Sequence, residues 1–156
     1  MAMQSPAVET PRRPALVIAL HWLTLVALLL GVLIILLRDE IDGRALRYWM
    51  LEAHRHLGLL VFCLLLARLA ARLAHHPLPA VCFSSRLTRA AAAATHIVLY
   101  LLLAAVPLLG WISSNARGQD IHFIGIPLPA LVGADDDLAD TLAEWHATVA
   151  WSLLAL

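Results

Sequence analysis

Four of the eight histidines lie inside long apolar segments, where an ionisable side chain is costly: His21, His54, His96 and His146. Each lies within about the first two turns of a separate segment. A neutral imidazole nitrogen is a good axial ligand for haem iron, and two helices that face each other can supply one imidazole each. The residue types and their positions therefore indicate bis-histidine haem ligation.

The depth of these histidines divides them into two pairs. Because successive membrane spans run in opposite directions, His54 and His146 fall near one face and His21 and His96 near the other. We expect His54 and His146 to ligate one haem on the outer side. A single histidine at a membrane interface is more often a polar anchor, but four segments with one histidine each, in depth-matched pairs, favour ligation.

The other four histidines have ordinary interpretations as polar residues outside the site. They are His56, His75, His76 and His122. His56 follows His54 by two residues and therefore faces away from it on a helix. No zinc motif is visible, and Cys63 and Cys82 form neither a CxxC nor a CxxCH pattern. A haem would therefore be held by coordination and packing alone.

Two further residues share the helical face of His54. Gly58 follows it by four residues and would let a porphyrin lie against the backbone, although a glycine there could equally serve close helix packing. Arg68 follows His54 by fourteen residues, which places it on nearly the same face and about 21 Å deeper. It could pair with a propionate of a second, inner haem. Snorkelling to the membrane edge explains Arg68 equally well.

The composition indicates that lipid is the solvent for much of the chain. Of its 156 residues, 62% are hydrophobic and 14% are charged, and the mean hydropathy is +0.82. Soluble domains contain about 45–50% apolar residues, so a soluble core of this size could not bury so much apolar surface. The formal net charge is zero, which gives no indication of a nucleic-acid partner.

The apolar segments predict an all-α transmembrane four-helix bundle. The spans are expected at 14–37, 50–73, 90–114 and 139–156. The transmembrane domain covers 14–156 after a cytoplasmic tail at 1–13, and arginine placement favours a cytoplasmic N-terminus. Roughly 20 residues cross a bilayer core. The fourth helix stops at Leu156 without a C-cap or a flanking arginine, so we expect a truncated fourth helix.

The chain resembles bacterial cytochrome b561, a family of four-helix di-haem membrane cytochromes. The matching segments are ALHWLTLVALL around His21, EAHRHLGLLVFCLLLARLAAR from His54 to Arg68, THIVLYLLLAAVPLLGW from His96, ARGQ in the third connection and LAEWHATVAW around His146. The HW pair, the His-x3-Gly pair and the WH pair are fairly specific in this order. Together the segments cover nearly the whole chain beyond residue 14.

The resemblance implies roles for single residues. His54 and His146 match the ligands of the haem nearer the periplasm, and His21 matches one ligand of the haem nearer the cytoplasm. The second ligand of that inner haem would lie four residues beyond Leu156. One or two haem b groups are therefore expected, with His21, His54 and His146 as iron ligands. His96 matches a histidine that the resemblance links to quinone chemistry or to a hydrogen bond at the haem edge.

The function expected from these residues is electron transfer across a bacterial inner membrane, with lipid around the protein. Two stacked haems about 20 Å apart would cross most of the apolar core. The resemblance implies ubiquinone as a partner, and superoxide or a redox protein as the outer donor. A superoxide:ubiquinone oxidoreductase activity would follow.

The outer arginines could attract superoxide, although nearby aspartates argue against a strongly positive surface. These arginines are Arg44, Arg47, Arg55 and Arg117. Two alternatives stay open. One is a cytochrome-b subunit of a membrane dehydrogenase or hydrogenase, and the other is a non-redox helical membrane protein.

Overall fold

The structure, a computed structural model, describes residues 15–74 and 85–156. It is mostly helical and contains α1 (Ala15–Arg38), α2 (Arg44–Ala74), α3 (Arg86–Ala116) and α4 (Asp136–Ala155). A short hairpin of β1 (His122–Phe123) and β2 (Ile126–Pro127) lies between α3 and α4. By length and composition, α1, α2 and α3 can each cross a membrane. The predicted tail at 1–13, and the residues His75, His76 and Cys82, lie outside the described residues.

Helix α2 extends beyond the predicted second span, because apolarity marks the thickness of the membrane and not the end of a helix. It begins at Arg44 and not at residue 50, so half of the chain between the first two predicted spans is helical. Arginine, alanine and leucine, which begin this segment, are strong helix formers. Similarly, α3 begins at Arg86 and not at residue 90, because the Ser85 side chain caps it by accepting from the Thr88 backbone N–H at 3.1 Å.

The start of the fourth helix was also predicted too late. Helix α4 begins at Asp136, within the acidic run 135–137 that precedes the fourth predicted span. The Asp135 carboxylate accepts from the Leu138 backbone N–H at 2.9 Å and caps the helix. Asp136 and Asp137 in the first turn interact favourably with the helix dipole. The acidic run is therefore a helix start.

The hairpin departs from the all-α prediction. His122 pairs with Pro127 and Phe123 with Ile126. Both turn residues have positive φ, 52° at Ile124 and 77° at Gly125, as in the tight turns that twist with a hairpin. Strands of two residues are too short to show an alternating pattern, so they could not be predicted from the sequence.

Helix α1 presents small residues on one face. Thr24, Ala27 and Gly31 recur at helical spacing and are buried, and α1 packs along α2. Small side chains let two membrane helices approach closely. Large leucines on the remaining surface are exposed, as expected where lipid replaces water as the solvent. Examples are Leu16, Leu23, Leu30 and Leu37.

The helices pack as two neighbouring pairs. Helix α1 packs along α2, α4 packs along α3, and α2 contacts α3. A small apolar core joins the pairs, with Ala27, Val61, Leu64, Leu65 and Leu103 at its centre. Within the described part of the chain, the backbones of α1 and α4 do not approach each other. The space between the two pairs is the cavity that forms the candidate site.

Candidate haem-binding site

A cavity of about 690 Å³ lies between the two helix pairs, and all four helices contribute to its lining. This volume is within the range of roughly 300–1,000 Å³ found for cofactor and ligand sites. Most of the lining is aliphatic or glycine, including Gly31, Gly58 and Gly110, and polar groups are concentrated towards the ends of α2 and α3 that meet the connection. The shape and chemistry suit a large, mainly apolar cofactor.

His54 on α2 and His146 on α4 face each other in this cavity. Their ring centroids are 6.0 Å apart and their planes are 77° from parallel. A bond between imidazole nitrogen and a transition metal is about 2 Å long. Two such bonds, plus the distance from each nitrogen to its ring centre, come close to the observed separation. The pair is therefore spaced to bind one metal ion from both sides.

A backbone carbonyl on a neighbouring helix holds each imidazole in one tautomer. His54 Nδ1 lies 2.9 Å from the Gly31 carbonyl oxygen on α1, and His146 Nδ1 lies 2.8 Å from the Val106 carbonyl oxygen on α3. A carbonyl can only accept, so both Nδ1 atoms donate and both Nε2 atoms keep a free lone pair. This is the usual orientation of a metal-ligating histidine.

Gly110, which the sequence pattern did not single out, leaves space for the His146 imidazole, whereas the space beside His54 does not require Gly31. A Cβ at Gly110 would lie 3.1 Å from His146 Cε1 and 3.2 Å from His146 Nδ1, closer than ordinary van der Waals contact. A Cβ at Gly31 would lie 3.9 Å from His54 Nδ1, which is an ordinary contact. A glycine inside a helix is destabilising by roughly 0.5–1 kcal/mol relative to alanine, and this cost is the signal that could have pointed to Gly110.

Gly58 lines the cavity without touching another helix. A Cβ built there would meet no atom within 4 Å. Close helix packing therefore does not require a glycine at this position. The missing side chain leaves a flat piece of backbone one turn from His54, open to the cavity.

The structure does not bring His21 and His96 together. His21 is exposed on α1, and its ring contacts the neighbouring Trp22 ring at 5.7 Å. His96 is exposed on α3, and its Nδ1 lies 2.7 Å from the Ala92 carbonyl oxygen of its own helix. The structure therefore provides one facing pair of imidazoles in its described part, and that pair is in the cavity.

Arg68 on α2 lies over an aromatic ring of α3. Its guanidinium carbon is 5.9 Å from the centre of the Tyr100 ring on α3. Arg72, one turn further along α2, lies 6.0 Å from the same ring and donates to the Tyr100 hydroxyl at 3.3 Å. These residues form a cationic and aromatic layer at the end of α2 opposite to His54.

His56 and His122 lie apart from the cavity, as expected. His56 Nδ1 lies 2.9 Å from the Glu52 carbonyl oxygen of its own helix, and its ring is 6.2 Å from the Phe123 ring in the hairpin. His122 is exposed in β1. Neither residue belongs to the cavity lining, so neither reaches the His54 and His146 pair.

The connection between α3 and α4 covers one end of the cavity, which is the end predicted to be the outer one. Asn115 is buried, its Nδ2 donates to the Gln119 carbonyl at 3.1 Å, and its Oδ1 accepts from the Leu131 backbone N–H at 3.1 Å. Gln119 and Ile121 contribute to the cavity lining. The connection is therefore fixed by hydrogen bonds from a buried side chain.

The arginines at the outer end have acidic partners. Arg38 and Arg47 contact Asp39 at 3.1 and 3.4 Å. Arg117 contacts Asp140 at 3.0 Å. Arg55 donates to Glu52 and, through its other terminal nitrogen, to Gln119. These acids reduce the positive potential at the outer face.

Two facing imidazoles in a mainly apolar cavity between long helices are an arrangement that suits a membrane b-type cytochrome. The family model for prokaryotic cytochrome b561 matches residues 12–156. The chain belongs to this family. It is a bacterial multi-pass membrane protein for haem-dependent electron transfer, and the family implies haem b.

Two curated relatives agree with this family. Over 133 residues the chain is 31% identical to a probable superoxide oxidase CybB of Yersinia pestis, which covers 85% of this chain and 75% of the relative. Over 106 residues it is 34% identical to cytochrome b561 homolog 2 of Escherichia coli (strain K12), which covers 67% of this chain. The chain spans 56% of this second relative.

Proposed function

We propose that this protein is an electron carrier of the bacterial inner membrane that binds haem b between His54 and His146 and delivers electrons to ubiquinone. The observation that supports this most directly is the facing of the two imidazoles, 6.0 Å apart, with both Nδ1 atoms bonded to backbone carbonyls. In this proposal 14–156 is one transmembrane four-helix bundle, α4 also lies in the membrane, and 1–13 is a cytoplasmic tail.

The protein residues orient the ligands and exclude water. The carbonyls of Gly31 and Val106 hold the Nδ1 protons, so that both Nε2 atoms face the cavity. Gly110 leaves space for the His146 ring, and Gly58 leaves a flat wall. Bound haem b supplies one-electron chemistry by cycling between Fe(III) and Fe(II). Burial in this apolar cavity helps to set the potential at which it does so.

A second haem is part of the proposal, with His21 as one axial ligand and Arg68 beside a propionate. Arg68 lies in the cationic and aromatic layer around Tyr100, at the end of α2 opposite to His54, which supports this placement of a propionate. His96 is not proposed as the other axial ligand of this haem, because no contact joins the exposed His96 ring to His21 among the described residues. We propose that His96 acts in quinone chemistry or donates a hydrogen bond to a haem edge.

The outer electron donor is proposed to be superoxide, because one relative is named a probable superoxide oxidase. A soluble redox protein is the alternative donor. The arginines of the outer face are paired with acidic residues. We therefore expect the donor to reach this face with little help from long-range electrostatic attraction. This part of the proposal is tested by measuring whether the purified protein catalyses the reduction of ubiquinone by superoxide.

Haem content and visible spectra test the ligand assignment. The variants His54→Ala and His146→Ala are expected to lose the outer haem, measured as haem per protein and as the b-type α-band in reduced-minus-oxidised spectra. His56→Ala is the matched control, because it removes an imidazole two residues from His54 that lies outside the cavity. Unchanged haem in both ligand variants, or a protein without any haem, would refute the proposal.

A further inference from the structure

Two buried N–H groups on the cavity lining have no hydrogen-bond acceptor among the described residues. They are Nε of Arg55 on α2 and Nε1 of Trp111 on α3. Arg55 and Trp111 both line the cavity that contains His54 and His146. Buried donors are almost always satisfied, because an unmade hydrogen bond carries the full cost of removing the group from water. These two N–H groups therefore indicate an acceptor supplied by the ligand.

The Arg55 guanidinium is fixed in place by its other nitrogens. Nη1 donates to the Glu52 carboxylate and Nη2 donates to the Gln119 side chain. The Arg55 side chain is 14% exposed, so it does not extend into open solvent as a snorkelling arginine would. With both terminal nitrogens engaged, Nε is the remaining buried N–H of Arg55, and it has no partner among the described residues.

The hydroxyl groups of Ser113 and Ser114, which also line the cavity, already donate to backbone carbonyls. Ser113 donates to the Ala139 carbonyl at 3.1 Å, and Ser114 donates to the Gly110 carbonyl at 2.8 Å. The unpaired donors at this end of the cavity are thus an arginine and an indole, and both require an acceptor. A carboxylate is the strongest such acceptor, because it has only lone pairs and forms charge-assisted bonds to arginine.

We propose that Arg55 Nε and Trp111 Nε1 bind a propionate carboxylate of the haem held by His54 and His146. This inference rests on the proposed function, since it assumes haem in that cavity. Haem b has carboxylates on one edge and an apolar remainder. The donors therefore orient its acidic edge towards the connection between α3 and α4, and its apolar edge towards the aliphatic lining. Arg55 and Trp111 are positioning residues for the cofactor.

The test uses the haem-loaded protein and two variants that remove one donor each. Trp111→Phe keeps the ring and loses the indole N–H, and Arg55→Lys keeps the charge and loses Nε. The controls are Trp49→Phe and Arg47→Lys, which make the same changes outside this cavity. Transfer of haem to apomyoglobin is expected to be about tenfold faster in each donor variant, as for the loss of one hydrogen bond to a charged group, and unchanged in the controls.

A direct measurement separates propionate binding from general loosening. Redox-induced infrared difference spectra, recorded with haem whose propionates are labelled with carbon-13, are expected to show a shifted propionate band in both donor variants. A band and a transfer rate unchanged in both variants, with the bis-histidine spectrum intact, would overturn the inference. The inference would also be overturned if both variants changed only the KM for ubiquinone, because the two N–H groups would then bind a quinone carbonyl. A wild-type protein without haem would instead refute the proposed function.

Discussion

The imidazoles of the site are oriented by main-chain groups of other helices. His54 bonds to the carbonyl of Gly31 on α1, and His146 bonds to the carbonyl of Val106 on α3. The orientation of each imidazole therefore depends on the depth at which its helix lies against a neighbour, since a carbonyl displaced along the helix could no longer accept the Nδ1 proton. In metal sites, the loss of such a hydrogen bond typically lowers metal affinity about 10–100-fold.

The space around the two imidazoles predicts different effects of alanine at Gly110 and at Gly31. Gly110→Ala is expected to lower haem content strongly, because its Cβ would lie 3.1 Å from His146 Cε1 and displace the ring. Gly31→Ala is the matched control, because its Cβ would be in ordinary contact 3.9 Å from His54 Nδ1. Haem per protein measures both variants. Equal haem content in the two would contradict the geometry.

The open space at Gly58 gives a second prediction. Gly58→Leu places a side chain in the cavity, where the Cβ meets no protein atom within 4 Å. We expect the helices to form as in the wild type, measured by far-ultraviolet circular dichroism, while haem content falls at least tenfold through exclusion of the porphyrin. Gly133→Leu, also in open space but in the α3–α4 connection, is the control. Full haem content in Gly58→Leu would place the cofactor elsewhere.

At the scale of elements, the sequence predicted the number of helices and the positions of their apolar centres. The cost of an ionisable group in lipid selected four histidines, and the alternating direction of the spans grouped His54 with His146. The starts of α2 and α4 were not predicted, because both helices begin among residues that apolarity does not mark. Gly110 was not selected, because its role depends on its distance to His146 on another helix.

One residue of the hairpin turn has an unfavourable backbone conformation. Ile124 has a φ of 52°, which is a genuine outlier for a β-branched residue. Ile124→Asn is expected to raise stability by about 1 kcal/mol, because asparagine tolerates this conformation. Thermal unfolding in detergent measures the change. Ile126→Asn is the control, because that residue is similarly exposed in the hairpin and has no positive φ. Equal effects of the two substitutions would show that polarity, and not backbone strain, is responsible.

At the scale of the whole molecule, the charges are balanced and locally paired. The chain has 11 arginine residues, 11 acidic residues and no lysine. The outer arginines Arg47 and Arg117 are about half exposed beside even more exposed aspartates. Such pairs contribute little to stability. Their main effect is on the electric field at the outer face, which they reduce, so that an anionic reactant is only weakly attracted.

Asp39 allows this field to be changed with a matched control. Its carboxylate pairs with both Arg38 and Arg47, so Asp39→Asn removes one negative charge and leaves two guanidinium groups unpaired. Glu40→Gln removes the same charge from the neighbouring residue, for which no ion pair is found within the described part of the chain. The reporter is oxidation of reduced haem by ferricyanide, an anionic reagent. We expect a weak dependence on ionic strength in the wild type, and a faster and more salt-sensitive reaction in Asp39→Asn, because screening acts on unpaired surface charge. If Glu40→Gln accelerates the reaction equally, net charge alone controls the encounter, and the pairing of Asp39 with the two arginines has no part in it.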